Sequence, residues 1–223
     1  MAKPCNIALA KNGNVDFRFN ENVISISGNA DAIKIVTDKN NYTANKAIAS
    51  AGAWMKELLP ELNLPLQIER TVLYWFNLNK SNKKFLPENF PIYIWEYKKN
   101  KMVYGFPDLG DGIKIAFHHS GNFTTPDNLN RNVTQQEINA IEKVMKQCFN
   151  VDATFNYSAV CMYTNTPDEN FIIDYHPQNK NIIIASPCSG HGFKFSSAIG
   201  KLLCDMAMDK NLDIDIKLFK IKK

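Results

Sequence analysis

Apolar residues recur at every second position in several short stretches of the chain, a pattern typical of half-buried β-strands. One group of these stretches lies near the N-terminus, at residues 15–19, 23–27, 32–37 and 46–52. A second group follows at hairpin spacing and has aromatic residues on both faces of its first member, at residues 66–78, 91–97, 101–106 and 112–118. The second group predicts a large antiparallel sheet in the middle of the chain.

Helical periodicity is clearest at residues 134–149, where Thr134 and Glu137 have the spacing of a capping box. The apolar residues that follow share one helical face: Ile138, Ile141, Val144, Met145, Cys148 and Phe149. Three further helical segments are predicted, at residues 4–12, from 53 to Pro60, and near 196–208. Four more strands are predicted at 156–163, 170–174, 181–186 and 212–219. Mixed strands and helices around an antiparallel sheet indicate the α+β class.

Composition narrows the range of partners. The chain has 223 residues, 45% of them hydrophobic, which is enough for the core of one large domain or two small ones. The net charge of +4 is spread over single lysines without a basic stripe, so a nucleic-acid partner is not expected. No apolar run approaches the ~18 residues of a membrane span, and the N-terminus lacks the pattern of a signal peptide.

The cysteines indicate the compartment. There are five, scattered without a C-x-x-C pair, at positions 5, 148, 161, 188 and 204. An odd and scattered set is typical of free thiols rather than of a disulfide framework. Free thiols persist in a reducing environment, so the expected location is the cytoplasm.

One stretch combines a strand, a glycine turn and a helix start. It reads NIIIASPCSGHGFKF, residues 181–195, and its turn contains Ser189, Gly190, His191 and Gly192. Free N–H groups at a helix start favour anions, and glycines let a ligand approach the backbone. Two interpretations stay open from the local pattern: a cofactor or anion contact, and a tight turn that enters a packed helix. Lys194 is either a solvated lysine or a cation for a substrate carboxylate.

A second stretch, VCMYTNTPDENFIIDYHP, lies at residues 160–177, shortly before the glycine turn. Together the two motifs resemble the monomeric sarcosine oxidase and N-methyltryptophan oxidase family of FAD-dependent amine oxidases. Weaker similarity extends back through YTANKAIASAGAW at 42–54 and YGFPDLGDGIKIAFH at 104–118. The resemblance therefore covers nearly the whole chain.

The resemblance implies a division of the chain into three parts. Residues 1–60 correspond to part of an FAD-binding domain of the Rossmann type. Residues 61–150 correspond to an antiparallel-sheet substrate domain, and residues 151–223 return to the FAD-binding domain with the flavin attachment site and the C-terminal helix.

The resemblance also implies where FAD is held. Family members carry one FAD per complete enzyme, attached through a cysteine thioether, and Cys161 stands at that position; an ordinary buried cysteine is the alternative. The other residues that match cofactor contacts are Gly52, Trp54, Ser189, Gly190, His191 and Gly192. For Gly52 and Trp54 the alternative is a simple strand end.

Further residues match the family's reaction site. Lys114 corresponds to the lysine beside the flavin where oxygen reacts, and His118 to a histidine on the substrate side. Lys194 corresponds to the lysine that holds the substrate carboxylate, and Tyr104 and Tyr163 to aromatic residues of the substrate pocket. No metal is expected, because adjacent strand residues such as His118 and His119 point to opposite faces.

The implied activity is oxidation of a secondary amino acid, such as sarcosine or N-methyltryptophan, to an imine, with O₂ reduced to H₂O₂. The family's N-terminal G-x-G-x-x-G turn, which seats the FAD pyrophosphate, does not occur in this sequence. We therefore expect a split enzyme with a separately encoded N-terminal half, a truncated remnant, or a catalytically inactive binding module. The isolated chain is expected to self-associate or to need its missing half, and not to turn over substrate alone.

Overall fold

The computed structural model describes residues 15–29, 31–78, 83–119 and 121–222. The helix predicted at residues 4–12 lies outside these residues. Within them, no helix is long and apolar enough to cross a membrane.

A small antiparallel sheet forms the first part of the described chain. Its strands are β1 (Val23–Gly28), β2 (Ile33–Thr37) and β3 (Asn41–Ala44), in the order β1-β2-β3. The predicted strand at 15–19 is wrong. Its alternating side chains have no neighbouring strand to pair with in the described chain, and the rings of Phe17 and Phe19 stack on each other at 6.0 Å. Alternation alone does not make a strand, because the backbone groups need a partner.

A second sheet contains the one parallel pairing of the described residues. Here β4 (Ala47–Ala49) pairs in parallel with β12 (Asn179–Ser186), which pairs antiparallel with β11 (Ile172–His176). After β4 the chain forms α1 (Met55–Leu58) between two 3-10 turns, Gly52–Trp54 and Pro60–Leu62. Pro60 ends the helix as expected, because proline cannot donate the next backbone hydrogen bond.

The large antiparallel sheet has six strands, and four of them are those that the hairpin spacing predicted. Five of them lie in the order β10 (Ala153–Asn165), β5 (Gln67–Leu78), β8 (Ile113–His118), β7 (Lys101–Phe106) and β6 (Tyr93–Lys98). The sixth, β9 (Phe123–Thr124), pairs with the start of β5. The longest ladder joins β5 and β10, which run side by side over nearly their whole lengths.

Helix α2 (Gln135–Phe149) covers one face of this sheet. Thr134 and Glu137 form the predicted capping box, and the predicted apolar face packs on even-numbered residues of β5. The members of this core include Val72, Tyr74, Phe76, Ile138, Ile141 and Met145. Since side chains alternate along a strand, the odd-numbered residues of β5 point to the opposite face, away from α2.

The C-terminal part contains α3 (Ser196–Ala207), close to the predicted bounds, and it packs on Ile173 and Ile183 of the second sheet. The strand predicted at 212–219 is wrong. The structure has a 3-10 turn at Lys217–Phe219 instead, and its apolar residues Leu212, Ile216 and Phe219 join the same core. Their spacing of four and three residues brings them to one side of a turn rather than of a strand.

Candidate functional site

The face of the large sheet opposite α2 gathers most of the predicted reaction residues. In an antiparallel sheet, directly paired residues point to the same face. Trp75 of β5 pairs with Lys114 of β8, and Lys114 pairs with Phe106 of β7. On the other side of β5, Thr71 pairs with Cys161 of β10. The remaining pairs place Ala116, His118, Tyr104, Met102, Glu69 and Tyr163 on this same face.

Three aromatic rings surround the Lys114 ammonium. Its Nζ atom lies 4.6 Å from the ring centroid of Phe106, 5.4 Å from that of Trp75 and 5.9 Å from that of Tyr104. These are cation–π distances, so the rings hold a cation on this face without neutralising it. Burial lowers the pKa of Lys114, while the nearby Cys161 thiol acts in the opposite direction.

Tyr104, Tyr163 and His118 form an aromatic group beside Lys114. Tyr104 and Tyr163 are close enough for each to influence the pKa of the other, and the His118 ring lies 5.7 Å from the Tyr104 ring and 6.1 Å from the Tyr163 ring. Burial raises the pKa of the Tyr163 hydroxyl far above its usual value. Burial lowers the pKa of His118, and the neighbouring His119 adds to the effect, so this imidazole is neutral at neutral pH.

His118 and His119 lie on the same side of the chain, contrary to the prediction from the sequence. His119 lies just beyond β8 with a φ of 55°, so the alternation of strand side chains no longer applies to it. As a result the His118 and His119 rings are on the same side, with centroids 4.2 Å apart. The expectation that they point to opposite faces is wrong.

The glycine turn joins this face through Tyr163. Gly190 has a φ of 72°, and a Cβ added there would lie 2.9 Å from the Tyr163 ring. Ser189 is buried, its N–H donates to the Thr164 carbonyl at 2.9 Å, and the His191 ring stacks on Phe171 at 5.0 Å. These contacts fix the turn against the end of β10.

Lys194 and Trp54 make their contacts with residues other than those around Lys114, and Gly52 lies in the same turn as Trp54. The exposed Lys194 ammonium lies 5.3 Å above the Phe195 ring. The Trp54 Nε1 donates to Asp127 at 2.9 Å, in the turn that contains Gly52. In the part of the chain that the structure describes, neither side chain has a hydrogen bond or ring contact with the Lys114 group.

Six residues of this face were not predicted from the sequence. Glu69, Thr71 and Trp75 follow the alternation of β5, whereas Phe106 and Asn165 are placed on this face by the register of β7 and β10 with their neighbours. His119 lies beyond β8 at a positive φ, which no local pattern predicted. The Thr71 hydroxyl is of particular interest. It is buried without a hydrogen-bond partner in the part of the chain that the structure describes, opposite the exposed Cys161. A buried polar atom without a partner favours a ligand or a water at that point.

Comparison with known proteins identifies the family of this chain. The sequence profile of a family described as FAD dependent oxidoreductase matches residues 4–206. The chain belongs to this family. It is 37% identical over 219 residues to the monomeric sarcosine oxidase of Streptomyces avermitilis, covering 96% of the chain and 57% of that relative. It is 40% identical over 199 residues to the monomeric sarcosine oxidase of Bacillus sp., covering 86% of the chain and 50% of the relative.

The N-methyl-L-tryptophan oxidase of Escherichia coli is 34% identical over 221 residues, with 97% of the chain and 58% of the relative covered. Two solved structures share the fold. NikD, an unusual amino acid oxidase, has a TM-score of 0.73 at 16% identity, over 96% of this chain and 57% of its own. Fructosamine oxidase from Aspergillus fumigatus has a TM-score of 0.69 at 23% identity, over 90% of this chain and 50% of its own. The chain thus spans 50% to 58% of the length of these sequence relatives.

Proposed function

We propose that this chain supplies the flavin-attachment and substrate-facing part of an FAD-dependent oxidase of secondary amino acids. The substrate is an N-methyl or cyclic secondary amino acid, with sarcosine and N-methyltryptophan as the compounds named for the relatives. The products are an imine and H₂O₂. The observation that carries the proposal is the single sheet face that holds Lys114, Tyr104, His118, Tyr163 and Cys161 together.

The residues of this face fit the reactive end of FAD. The Cys161 thiol is exposed and free, so it is accessible for a thioether bond. The Thr71 hydroxyl across from it needs a hydrogen-bond partner that a bound cofactor would offer. When bound, FAD takes up the two electrons removed from the substrate and passes them to O₂.

The side chains around the proposed attachment site have separable tasks. Lys114 keeps a positive charge in a partly buried, aromatic environment, where it stabilises negative charge that forms on oxygen. Neutral His118 and the neighbouring Tyr104 and Tyr163 form a wall that positions an amine and excludes water. Lys194 is proposed to pair with the substrate carboxylate, since a fixed ammonium is a suitable anchor for it.

The pyrophosphate end of FAD needs a further polypeptide segment. The sequence contains no G-x-G-x-x-G turn, and the described residues leave an open cavity of about 800 Å³ beside the end of β4. Exposed apolar side chains line it, among them Ile24, Ile48 and Trp54. We propose that a separately encoded half, another segment of a longer chain, or a second copy covers this surface.

The attachment site is tested by expressing the chain with a family member's G-x-G-x-x-G half and FAD. Acid-stable flavin fluorescence on a denaturing gel should appear with the unsubstituted chain and with Cys188→Ser. It should be lost with Cys161→Ser. Equal fluorescence from both variants would refute the attachment at Cys161. Peroxide formation with sarcosine or N-methyltryptophan tests the activity, and flavin binding without peroxide would support a binding module instead.

A further inference from the structure

A buried carboxylate lies on the reaction face without a role in the proposed chemistry. Glu69 is only 2% exposed, and it is the direct cross-strand partner of Tyr163. Isolating a carboxylate from water is costly unless donors surround it. The core of the sheet lies on the opposite face with α2, so the fold does not require an acid at this position.

Donors from three different segments of the described chain converge on Glu69. The Gly121 N–H donates to Oε1 at 2.8 Å, and the Asn165 side-chain amide donates to Oε2 at 2.9 Å. The His119 Nδ1 atom lies 3.1 Å from the same Oε2. An ionised carboxylate only accepts hydrogen bonds, so this contact requires the proton of His119 on Nδ1.

The contact with Glu69 also fixes what the rest of the His119 ring faces. The ring lies 4.2 Å from the His118 ring and 5.7 Å from the Tyr163 ring. Its Nε2 atom is buried without a hydrogen-bond partner among the described residues and lies 3.6 Å from a Glu169 carboxylate oxygen. His118, in contact with His119, also has a buried nitrogen, Nδ1, for which the described part of the chain offers no partner.

We propose that Glu69 is a positioning residue of the reaction face. Through the Nδ1 contact it fixes the tautomer and orientation of His119, and His119 in turn holds His118 and Tyr163 in place. Nδ1 of His118, which has no hydrogen-bond partner among the described residues, is then held in a defined direction toward water or substrate, while Nε2 of His119 faces the Glu169 carboxylate. The inference rests on the proposed function for its catalytic consequence only, since the imidazole geometry is a property of the chain itself.

Histidine NMR tests the geometry without flavin or turnover. The sequence has only four histidines, so single His→Asn replacements assign every imidazole signal of a chain labelled with ¹⁵N-histidine. The charged and titratable groups that act on His118 and His119 are Glu69, Glu169, Tyr163 and His191, which come from several elements. Each variant replaces one group and leaves the others unchanged. The tautomer of each neutral ring is read from its two nitrogen shifts.

Glu69→Gln is the variant, because it keeps the shape and one acceptor but can also donate to Nδ1. The chain offers a matched control in Glu61→Gln, since the Glu61 carboxylate lies 3.2 Å from Nε2 of His176, in another part of the fold. We expect Glu69→Gln to change the tautomer of His119 and to shift the signals of His118. Glu61→Gln should shift His176 alone.

Unchanged His119 nitrogen shifts in Glu69→Gln, or a changed His119 with His118 unaffected, would overturn the inference. Should Glu69→Gln not fold, His119→Asn tests the second link, and it must move the His118 signals for the inference to stand. In the flavin-loaded complete enzyme, Glu69→Gln should lower kcat roughly ten- to a hundredfold with little change in KM. Glu69→Asp, which keeps the carboxylate, should recover part of that loss.

The proposed function and the positioning role of Glu69 can be refuted separately. An unsubstituted complete enzyme that oxidises no amine would refute the proposed function and leave the NMR result intact. If the enzyme is active but the NMR signals of His118 are the same in Glu69→Gln as in the unsubstituted chain, the positioning role alone is refuted.

Discussion

Replacing Gly192 by alanine should destabilise the protein even without cofactor. Gly192 is buried at the start of the 3-10 turn Gly192–Phe195, directly before α3. A Cβ atom there would lie 1.6 Å from the carbonyl oxygen of Pro187 and 2.6 Å from its carbonyl carbon. Both are backbone atoms at the end of the buried strand β12, so no side-chain rotation relieves the contact.

The magnitude follows from the required movement. Ordinary contact begins at 3.4 Å, so the two backbone segments must separate by about 1.8 Å. Overpacking of a packed site costs about 1–3 kcal/mol. A backbone displacement of this size corresponds to the upper end of that range of energies, so we expect a loss of about 3 kcal/mol in the free energy of unfolding. For a chain of this length that lowers Tm by roughly 6–12 °C.

The assay is thermal and urea unfolding of the isolated chain, followed by circular dichroism at a fixed scan rate. Gly200→Ala is the matched control, because Gly200 lies in α3 and its added Cβ would meet nothing within 4 Å. That control should gain about 0.5–1 kcal/mol from the helix preference of alanine over glycine. A Gly192→Ala protein within about 1 kcal/mol of the unsubstituted chain would refute the steric reasoning and leave cofactor contact as the reason for this glycine.

Three further predictions concern charged groups. Arg70→Met should cost about 1.5–3 kcal/mol in urea unfolding, because the partly exposed Glu137 carboxylate loses its ion pair at 2.6 Å; a loss below ~0.5 kcal/mol would contradict this. Burial acts to raise the pKa of Glu137, but hydrogen bonds from Thr134 and Arg70 outweigh it and lower the pKa below the usual 4.5. The resulting stability is therefore full above pH 4.5 and is lost as the pH falls further, so Glu137→Gln should flatten the acid limb of a stability–pH curve; an unchanged limb would refute it. In the flavin-loaded enzyme, Lys114→Met should slow reoxidation of the flavin by O₂ and leave its reduction by substrate unchanged. Lys194→Ala should instead weaken substrate binding about ten- to a hundredfold. If both variants showed the same slow reoxidation and normal substrate binding, separate roles for the two lysines would be refuted.

Local patterns predicted most of the regular structure. The capping box at Thr134 and the apolar face of the following helix predicted α2 to within one residue, because both signals arise within the segment itself. The hairpin spacing predicted β5 to β8 in the same way. The two wrong strands, at 15–19 and 212–219, have alternating apolar residues but no neighbour to pair with in the described chain. Pairing is a property of the tertiary structure and leaves no mark in a local pattern.

The order of the motifs was enough to assign the family and to nominate Lys114, His118, Cys161 and Tyr163. Motif order depends on residue identity and spacing, and the sequence contains both in full. What only the tertiary structure decided is which neighbours these residues have. The ring cage of Lys114, the unpartnered Thr71 hydroxyl and the contacts of Glu69 with His119 depend on the register between β5 and its neighbours. A shift of one residue in that register would turn every one of these side chains to the α2 face, and only the packed core holds the register in place.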